Sequence, residues 1–319
     1  MAKVVVIRLS SLGDVVLASA AVRALADAGW RIGFITKPEY APIYSGDPRI
    51  EQLIEFTSLD KTRRQIKKFH PDAVVDLHNN QRSWLMTLGI GARTVRVRKR
   101  TLARRLCVWF GIGDKSPRSV VDDHLAALKK IGVDAPNTLP QIFPTERGLC
   151  EAEKFLRRLR PPIAVIHPGA RYPLKQWGDR RFARLGHILK EHNFDVLFIG
   201  ESAGKDDFAH TGRISLEALV GIISRAALFF GNDSGPAHIA AALGVPTITI
   251  FGPTHPCLGF VPRGKFAAYL HSGIECSPCT LHGEGKCKYA SPRCFEQITP
   301  EFVAERGLEL YRKFVSQQN

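Results

Sequence analysis

The feature that most narrows what this chain can fold into is the repeated change of hydrophobic period along it. Short runs that are β-branched and apolar on both faces alternate with longer stretches whose apolar residues recur every three or four positions. Residues 4–9, 32–36, 73–77 and 94–97 are of the first kind, and so, further on, are 163–167, 195–199, 227–231 and 247–251. A strand without a polar face must be covered on both sides, as parallel strands are by their crossover helices. In the stretch 15–28, Leu17, Ala21, Leu25 and Ala28 fall on one helix face, and Gly29 ends the helix. Alternating βα units imply an α/β, doubly wound architecture.

At 319 residues the chain is too long for one core, and two domains are expected. The break is placed at 157–162, RRLRPP, after a polar helix over 146–159 and before the fresh strand IAVIHPG. Pro161-Pro162 cannot continue a helix and forms an extended joint. The expected division is 1–160, 161–300 and a C-terminal helical segment, 301–319, that packs back on the first domain. Two Rossmann-like domains would then face each other across a cleft. No internal repeat or low-complexity tract is visible.

The mixture of 45% hydrophobic and 24% charged residues excludes a chiefly disordered chain. Seven cysteines are too few for a disulfide scaffold, and the odd number points to a reducing compartment. The start, MAKVVVIRLSSLGD, reads as neither signal peptide nor membrane anchor. No run approaches the roughly 18 apolar residues of a membrane span. Lys and Arg exceed Asp and Glu by 45 − 30 = 15, which calls for an acidic partner: nucleic acid, a phosphorylated substrate or anionic lipid.

Three strand-to-helix junctions carry chemistry. In Arg8-Leu9-Ser10-Ser11-Leu12-Gly13-Asp14, a lone Gly makes no dinucleotide fingerprint, but ligands bind at carboxyl ends of strands. Asp14 reads as a helix N-cap, as a general base, or as both. In Gly231-Asn232-Asp233-Ser234-Gly235-Pro236-Ala237-His238, Pro236 suits the first helical position and Ser234 or Gly235 the cap. The N–H groups of that first turn form an anion site suited to a diphosphate. Asp233 can accept from sugar hydroxyls and His238 can donate to phosphate; the plain alternative is a capped helix whose His packs locally. In the stretch HPGARYPLKQW, 167–177, Lys175 can neutralise a leaving phosphate with Arg171 beside it, or both belong to a solvated basic loop. Thr254, in FGPT, reaches phosphate or shapes a turn.

Taken together, IRLSSLGDVVLASAAVRAL, HPGARYPLKQW, NDSGPAHIAAALGVPTITIFGPT and the cysteine stretch near the end resemble glycosyltransferase family 9, the bacterial heptosyltransferases of lipopolysaccharide core synthesis. The resemblance runs through nearly the whole chain. It implies the GT-B fold and inverting transfer of heptose from ADP-heptose to an acidic inner-core acceptor on lipid A. By position, it makes Asp14 the catalytic aspartate and Lys175 the lysine on the donor diphosphate. It makes Asp233, Ser234, Gly235, His238 and Thr254 donor-binding residues. Ile214 falls on the adenine side. Ala170-Arg171 stands where some members have Thr-Thr, and Glu201 is shifted from the position of a ribose-binding acid. The acceptor side is implied to include Ser11, Gly13, His78, Asn79, Arg82, Arg98 and Arg100. The implied partners are an ADP-sugar donor, an anionic lipid-linked glycan and the inner leaflet of the plasma membrane. The implied protein is cytoplasmic, peripheral and monomeric, binds no nucleic acid, and needs no cofactor for catalysis.

Cys276, Cys279, Cys287 and Cys294 lie within 19 residues. Their spacing is compatible with tetrahedral Zn²⁺ or an iron–sulfur centre but matches no common zinc ribbon, so metal, disulfide and free thiol all stay open. The resemblance favours a structural or redox element over catalysis. Cys107, Cys150 and Cys257 read as ordinary buried or partly buried thiols. The stretch 93–105, RTVRVRKRTLARR, has seven basic residues in thirteen. It reads as a solvated face, a nucleic-acid patch or, within the family, a surface for an acidic glycolipid, with Arg63, Arg64, Lys67 and Lys68 adding to it. No nucleic-acid module or interleaved exposed aromatics support the second reading. Two other activities compete with heptosyl transfer: a nucleotide-sugar epimerase on the same fold, and a non-catalytic basic nucleic-acid-binding module.

Overall fold

The computed structural model describes residues 1–200, 207–289 and 291–318. The chain divides into two compact units, Met1–Lys99 with Val120–Glu146, and Arg100–Ser119 with Arg147–Asn319. In chain order the first unit contains β1 (Lys3–Ile7), α1 (Leu12–Leu17), α2 (Ser19–Asp27), β2 (Arg31–Thr36), β3 (Ile50–Glu55), α3 (Leu59–Phe69), β4 (Ala73–Asp76), α4 (Gln81–Thr87) and β5 (Arg93–Arg96). Next comes α5 (Thr101–Phe110), which groups with the second unit, and then α6 (Val120–Leu128) of the first. The five strands are parallel, in the order β3-β2-β1-β4-β5. β1 is central and fully buried from Val4 to Ile7, and the chain switches direction between β1 and β4. Such a switch opens a crevice at the carboxyl ends of the two strands.

The second unit contains α7 (Glu146–Leu156), β6 (Ile163–His167), α8 (Asp179–Glu191), β7 (Asp195–Phe198), β8 (Ala209–His210), α9 (Leu216–Ser224), β9 (Leu228–Asn232), α10 (Gly235–Ala242), β10 (Thr247–Ile250), β11 (Ala267–Leu270) and α11 (Pro300–Ser316). Its sheet is also parallel, ordered β11-β10-β9-β6-β7-β8, with the switch between β6 and β9. Its core gathers Ala164, Ile166, Trp177, Phe182, Phe230, Ile250 and Phe295.

The doubly wound architecture read from the sequence is present twice. The division at 160 moves, because α7 packs on α9: a Cβ on Gly221 would strike the carbonyl oxygen of Gly148. Arg147 also pairs with Glu217 at 3.3 Å, and Ser215 donates to Glu151 at 2.6 Å. The 301–319 segment packs within the second unit. Gly307 of α11 lies against the Phe230 ring, Arg184 of α8 meets Glu301 at 3.1 Å, and Trp177 Nε1 donates to the Ile298 carbonyl at 2.9 Å. The helix expected over 15–28 is two helices, broken at Ala18. There the buried Ser19 hydroxyl donates to the Val16 carbonyl at 2.6 Å, a bond that bends helices. Three strands unforeseen in the sequence, β3, β8 and β11, lie at sheet edges, and none is uniformly buried.

Candidate active site

At the carboxyl end of β1, Arg8 to Ser11 lead into α1, whose N-cap is Ser11. Asp14 is therefore not the cap. It is the third helical residue and reaches back, accepting from the Ser11 N–H at 3.3 Å and the Ser11 hydroxyl at 2.9 Å. Its other oxygen meets Arg8 Nη2 at 2.6 Å, and Arg8 Nη1 donates to the Leu77 carbonyl at 2.5 Å. The Asp14 side chain is only 14% exposed. Burial raises its carboxyl pKa, but the Arg8 charge and the Ser11 hydrogen bond outweigh it, so the net displacement is downward from the ordinary 3.8. Asp14 is thus a carboxylate at neutral pH. Sequence reasoning missed Arg8, which looks like the tail of a strand.

The loop after β4 is organised by Asp76, a fully buried residue that sequence reasoning also passed over. Its carboxylate accepts from the His78 N–H at 3.0 Å, the Asn79 N–H at 2.7 Å and the Ser83 hydroxyl at 2.8 Å, and Arg96 Nε lies 3.5 Å away. This holds Asn79 in the left-handed region, φ +44°. Burial, then the charges of Arg8 and Lys99, push His78 down to about 4, against a weaker opposing pull from Asp14. His78 is therefore a neutral imidazole beside the Arg8–Asp14 pair. Arg82 stacks over the Phe56 ring at 5.6 Å. Arg98 is exposed in the first unit, whereas Arg100, the N-cap of α5, belongs to the second.

At the switch of the second sheet, Asn232 ends β9 fully buried and ties two loops together. Its amide accepts from the Trp177 N–H at 3.0 Å and donates to the Pro168 carbonyl at 2.6 Å. Next in the chain, Asp233 receives Lys175 Nζ at 2.6 Å and the Thr254 hydroxyl at 2.8 Å on the same oxygen. Lys175, Asp233 and Thr254, separated widely in sequence, therefore form one network. Ser234 is the N-cap of α10, Gly235 and Pro236 are its first and second residues, and His238 is buried. The Ser234 hydroxyl lies 3.3 Å from Nδ1 of His167, whose burial pushes it down to about 4. Arg171 is exposed and stacks on Tyr172 at 5.6 Å, and Ala170 receives the Gln176 amide at 3.3 Å. Ile214 is half-buried just before Ser215, which caps α9. Glu201 lies outside the described residues.

The four clustered cysteines line one small pocket with Leu174, Pro253, Ser277 and Tyr289. Burial first, then the neighbouring thiols, push Cys294 up to about 12, and Cys279 is raised for the same reasons. Among the described residues, no three His, Cys, Asp or Glu side chains stand in metal-holding geometry. Cys150 is exposed, contrary to expectation, while Cys107 and Cys257 are buried with their sulfurs 3.8 Å apart. Gly283 of the same stretch lies directly on Lys175, 2.5 Å from Lys175 Cγ to the position a Cβ would take. Among the described residues, no helix is long and apolar enough to cross a membrane.

Known proteins resemble this chain in sequence and in fold. The chain is 24% identical to lipopolysaccharide heptosyltransferase 1 of Pseudomonas aeruginosa, over 95% of this chain and 96% of that one. Its fold matches a glycosyl transferase of family 9 from Veillonella parvula with a TM-score of 0.76, at 21% identity over 98% of each chain. It matches ADP-heptose lipopolysaccharide heptosyltransferase II of E. coli with a TM-score of 0.73, at 20% identity over 98% of this chain and 99% of the other. The sequence pattern of glycosyltransferase family 9 (heptosyltransferase) spans residues 59–289, well over half the chain, and the protein belongs to that family.

Proposed function

We propose that the chain is an inverting heptosyltransferase that moves heptose from ADP-heptose to an acidic, Kdo- or heptose-bearing lipid A acceptor. The observation that carries this reading is Asp14, a largely buried carboxylate kept ionised by Arg8 at the carboxyl end of the central strand. An acceptor hydroxyl attacks the anomeric carbon from the face opposite the diphosphate, and Asp14 takes its proton as the new bond forms. A carboxylate of lowered pKa is a weak base, but it suffices for a hydroxyl that turns acidic only as it bonds to carbon. The bond to the diphosphate breaks with its electron pair, and Lys175 and the first turn of α10 stabilise the charge that appears. Asp233 holds Lys175 in place and accepts from donor hydroxyls.

The test pairs binding with turnover. ADP-sugars should raise the melting temperature more than UDP- or GDP-sugars, since binding to the folded state alone stabilises it. Asp14→Asn should keep that shift and lose about 10²- to 10⁴-fold in transfer rate. Full turnover by Asp14→Asn sinks the base assignment, and an epimerised sugar nucleotide formed without acceptor would replace transfer with isomerisation.

We further propose a monomeric protein working at the inner face of the plasma membrane, without nucleic acid, and a structural role for the cysteine pocket. The four cysteines are the ligand type that Zn²⁺ or an iron–sulfur centre takes, but as they stand no three of these described residues could hold an ion. Such a group would have to draw the thiols together and deprotonate them, and would then brace Leu174 and Lys175 rather than take part in transfer. Metal analysis of protein purified without oxygen, with the melting temperature read before and after chelation, tests this. Metal-free protein of unchanged stability discards it.

A further inference from the structure

We propose that α5 is the element by which this protein docks on an anionic bilayer, with Leu102, Leu106, Trp109, Phe110 and Ile112 entering the interface. The inference deepens the reading above, on whose membrane-borne acceptor it rests.

Of the ten residues of α5, only Cys107 is buried. That side of the helix, with Val108, packs on Cys257, Leu258, Phe260 and Leu281, and Arg104 lies over the Phe260 ring at 5.0 Å. The helix is therefore fixed to its unit by one face. The other face carries Leu102, Arg105, Leu106 and Trp109 at spacings of three, one and three, which is a single helical stripe. Phe110 flanks it. Gly111, at φ +67°, ends the helix, and the Ile112 N–H returns to the Leu106 carbonyl at 3.4 Å, so Ile112 closes the patch. Leu102 is 71% exposed, Trp109 64%, Phe110 66% and Ile112 60%. Scattered exposed apolar residues are ordinary, but four large ones along one ten-residue helix and the residue after its cap are not.

Charge selects lipid as the occupant. From 100 to 118 the chain carries Arg100, Arg104, Arg105, Lys115 and Arg118 against one acid, Asp114, which Arg118 engages at 2.7 Å. Arg105 lies over the Trp109 ring at 5.8 Å, with its charge at the edge of the apolar stripe. Apolar and aromatic side chains on one face, with arginines rimming it, are the pattern of a helix lying in the interfacial plane. Ten residues span about 15 Å, half a bilayer core, so the helix lies on the membrane and does not cross it.

The experiment is co-flotation of the full chain with vesicles of phosphatidylethanolamine and phosphatidylglycerol, or of phosphatidylcholine alone. Binding should favour the anionic vesicles and weaken with salt. Trp109→Ser with Phe110→Ser should cut partitioning about tenfold or more, by loss of two buried aromatic groups. Leu102→Ser with Ile112→Ser, at the two extremes of the patch, should reproduce the loss if the first pair disturbs folding. Unchanged flotation of both double variants overturns the proposal, as does a dimer that both variants dissolve while the parent chain ignores vesicles. Turnover on a delipidated soluble acceptor separates the two readings. It should survive in the variants, and its absence from the parent chain would defeat the heptosyltransferase assignment while leaving the flotation result standing.

Discussion

The two switch points of this molecule use the same pair of charges in opposite ways. In the first unit an arginine holds a carboxylate: Arg8 fixes Asp14 and keeps it ionised despite burial. In the second a carboxylate holds a cation: Asp233, itself donated to by Thr254, fixes Lys175. The first arrangement leaves a positioned proton acceptor, and the second leaves a positioned positive charge. The two are also built differently. Arg8 and Asp14 stand six residues apart on one strand–loop–helix turn, whereas Lys175, Asp233 and Thr254 come from three separate junctions.

Breaking each pair at its cation should therefore have different consequences. Arg8→Met leaves Asp14 with burial raising its pKa and only Ser11 and the smaller pull of His124 opposing. The acid limb of kcat/KM should then move up in pH, measured against the parent chain. The sign for stability is the same. A carboxyl whose folded pKa is depressed stabilises the fold above its unfolded value and loses that contribution as pH falls through the folded one. The parent chain should keep this contribution until the pH falls below about the ordinary carboxylate value, and Arg8→Met should lack it throughout. Because the pair is largely buried, about 2–4 kcal/mol should be missing from its unfolding free energy in urea at pH 7. Lys175→Met, by contrast, should weaken ADP-sugar binding and leave the pH profile of turnover in place. An upward shift of the acid limb in Lys175→Met would mean that the two regions do not divide the work as their geometry suggests.

The same contrast explains what could be read from the sequence. Strands β1, β4, β6, β9 and β10 announce themselves because both their faces are covered, which leaves unbroken apolar runs. β3, IEQLIE, and β11, AAYL, do not, because edge strands keep polar or half-exposed positions. Asp14 and the DSGPAH turn are legible since a strand end, a cap residue and a helix start follow one another locally. Arg8, Asp76 and Asn232 are not. Each is a polar residue ending or following a strand, and its meaning lies in partners that reach up to 69 positions away. The unit boundary was missed for a similar reason. Arg160–Pro162 looks like a joint, but α7 is claimed by the close approach of Gly148 to Gly221, which no local pattern records.

The second region's dependence on distant pieces makes its support testable at a position that packs on the lysine stem and carries no charge of its own. Gly283 sits at φ +97°, and an added Cβ there would lie 2.5 Å from Lys175 Cγ and 3.0 Å from Tyr172 Cβ. Alanine is strained in that backbone region at a cost of about 1–2 kcal/mol, and the methyl must displace the lysine stem. Gly283→Ala should lower the melting temperature by a few degrees. It should also raise the donor KM and lower kcat through a displaced Lys175, together about three- to tenfold in kcat/KM, with the pH profile kept. Gly285, at φ +89° with nothing within 4 Å of an added Cβ, is the control. Gly285→Ala carries the same backbone strain without the collision, so it should share the loss of stability and spare the KM. If both variants raise the KM alike, the cysteine stretch acts only through general stability. If Gly283→Ala alone does so, that stretch sets where the cation stands.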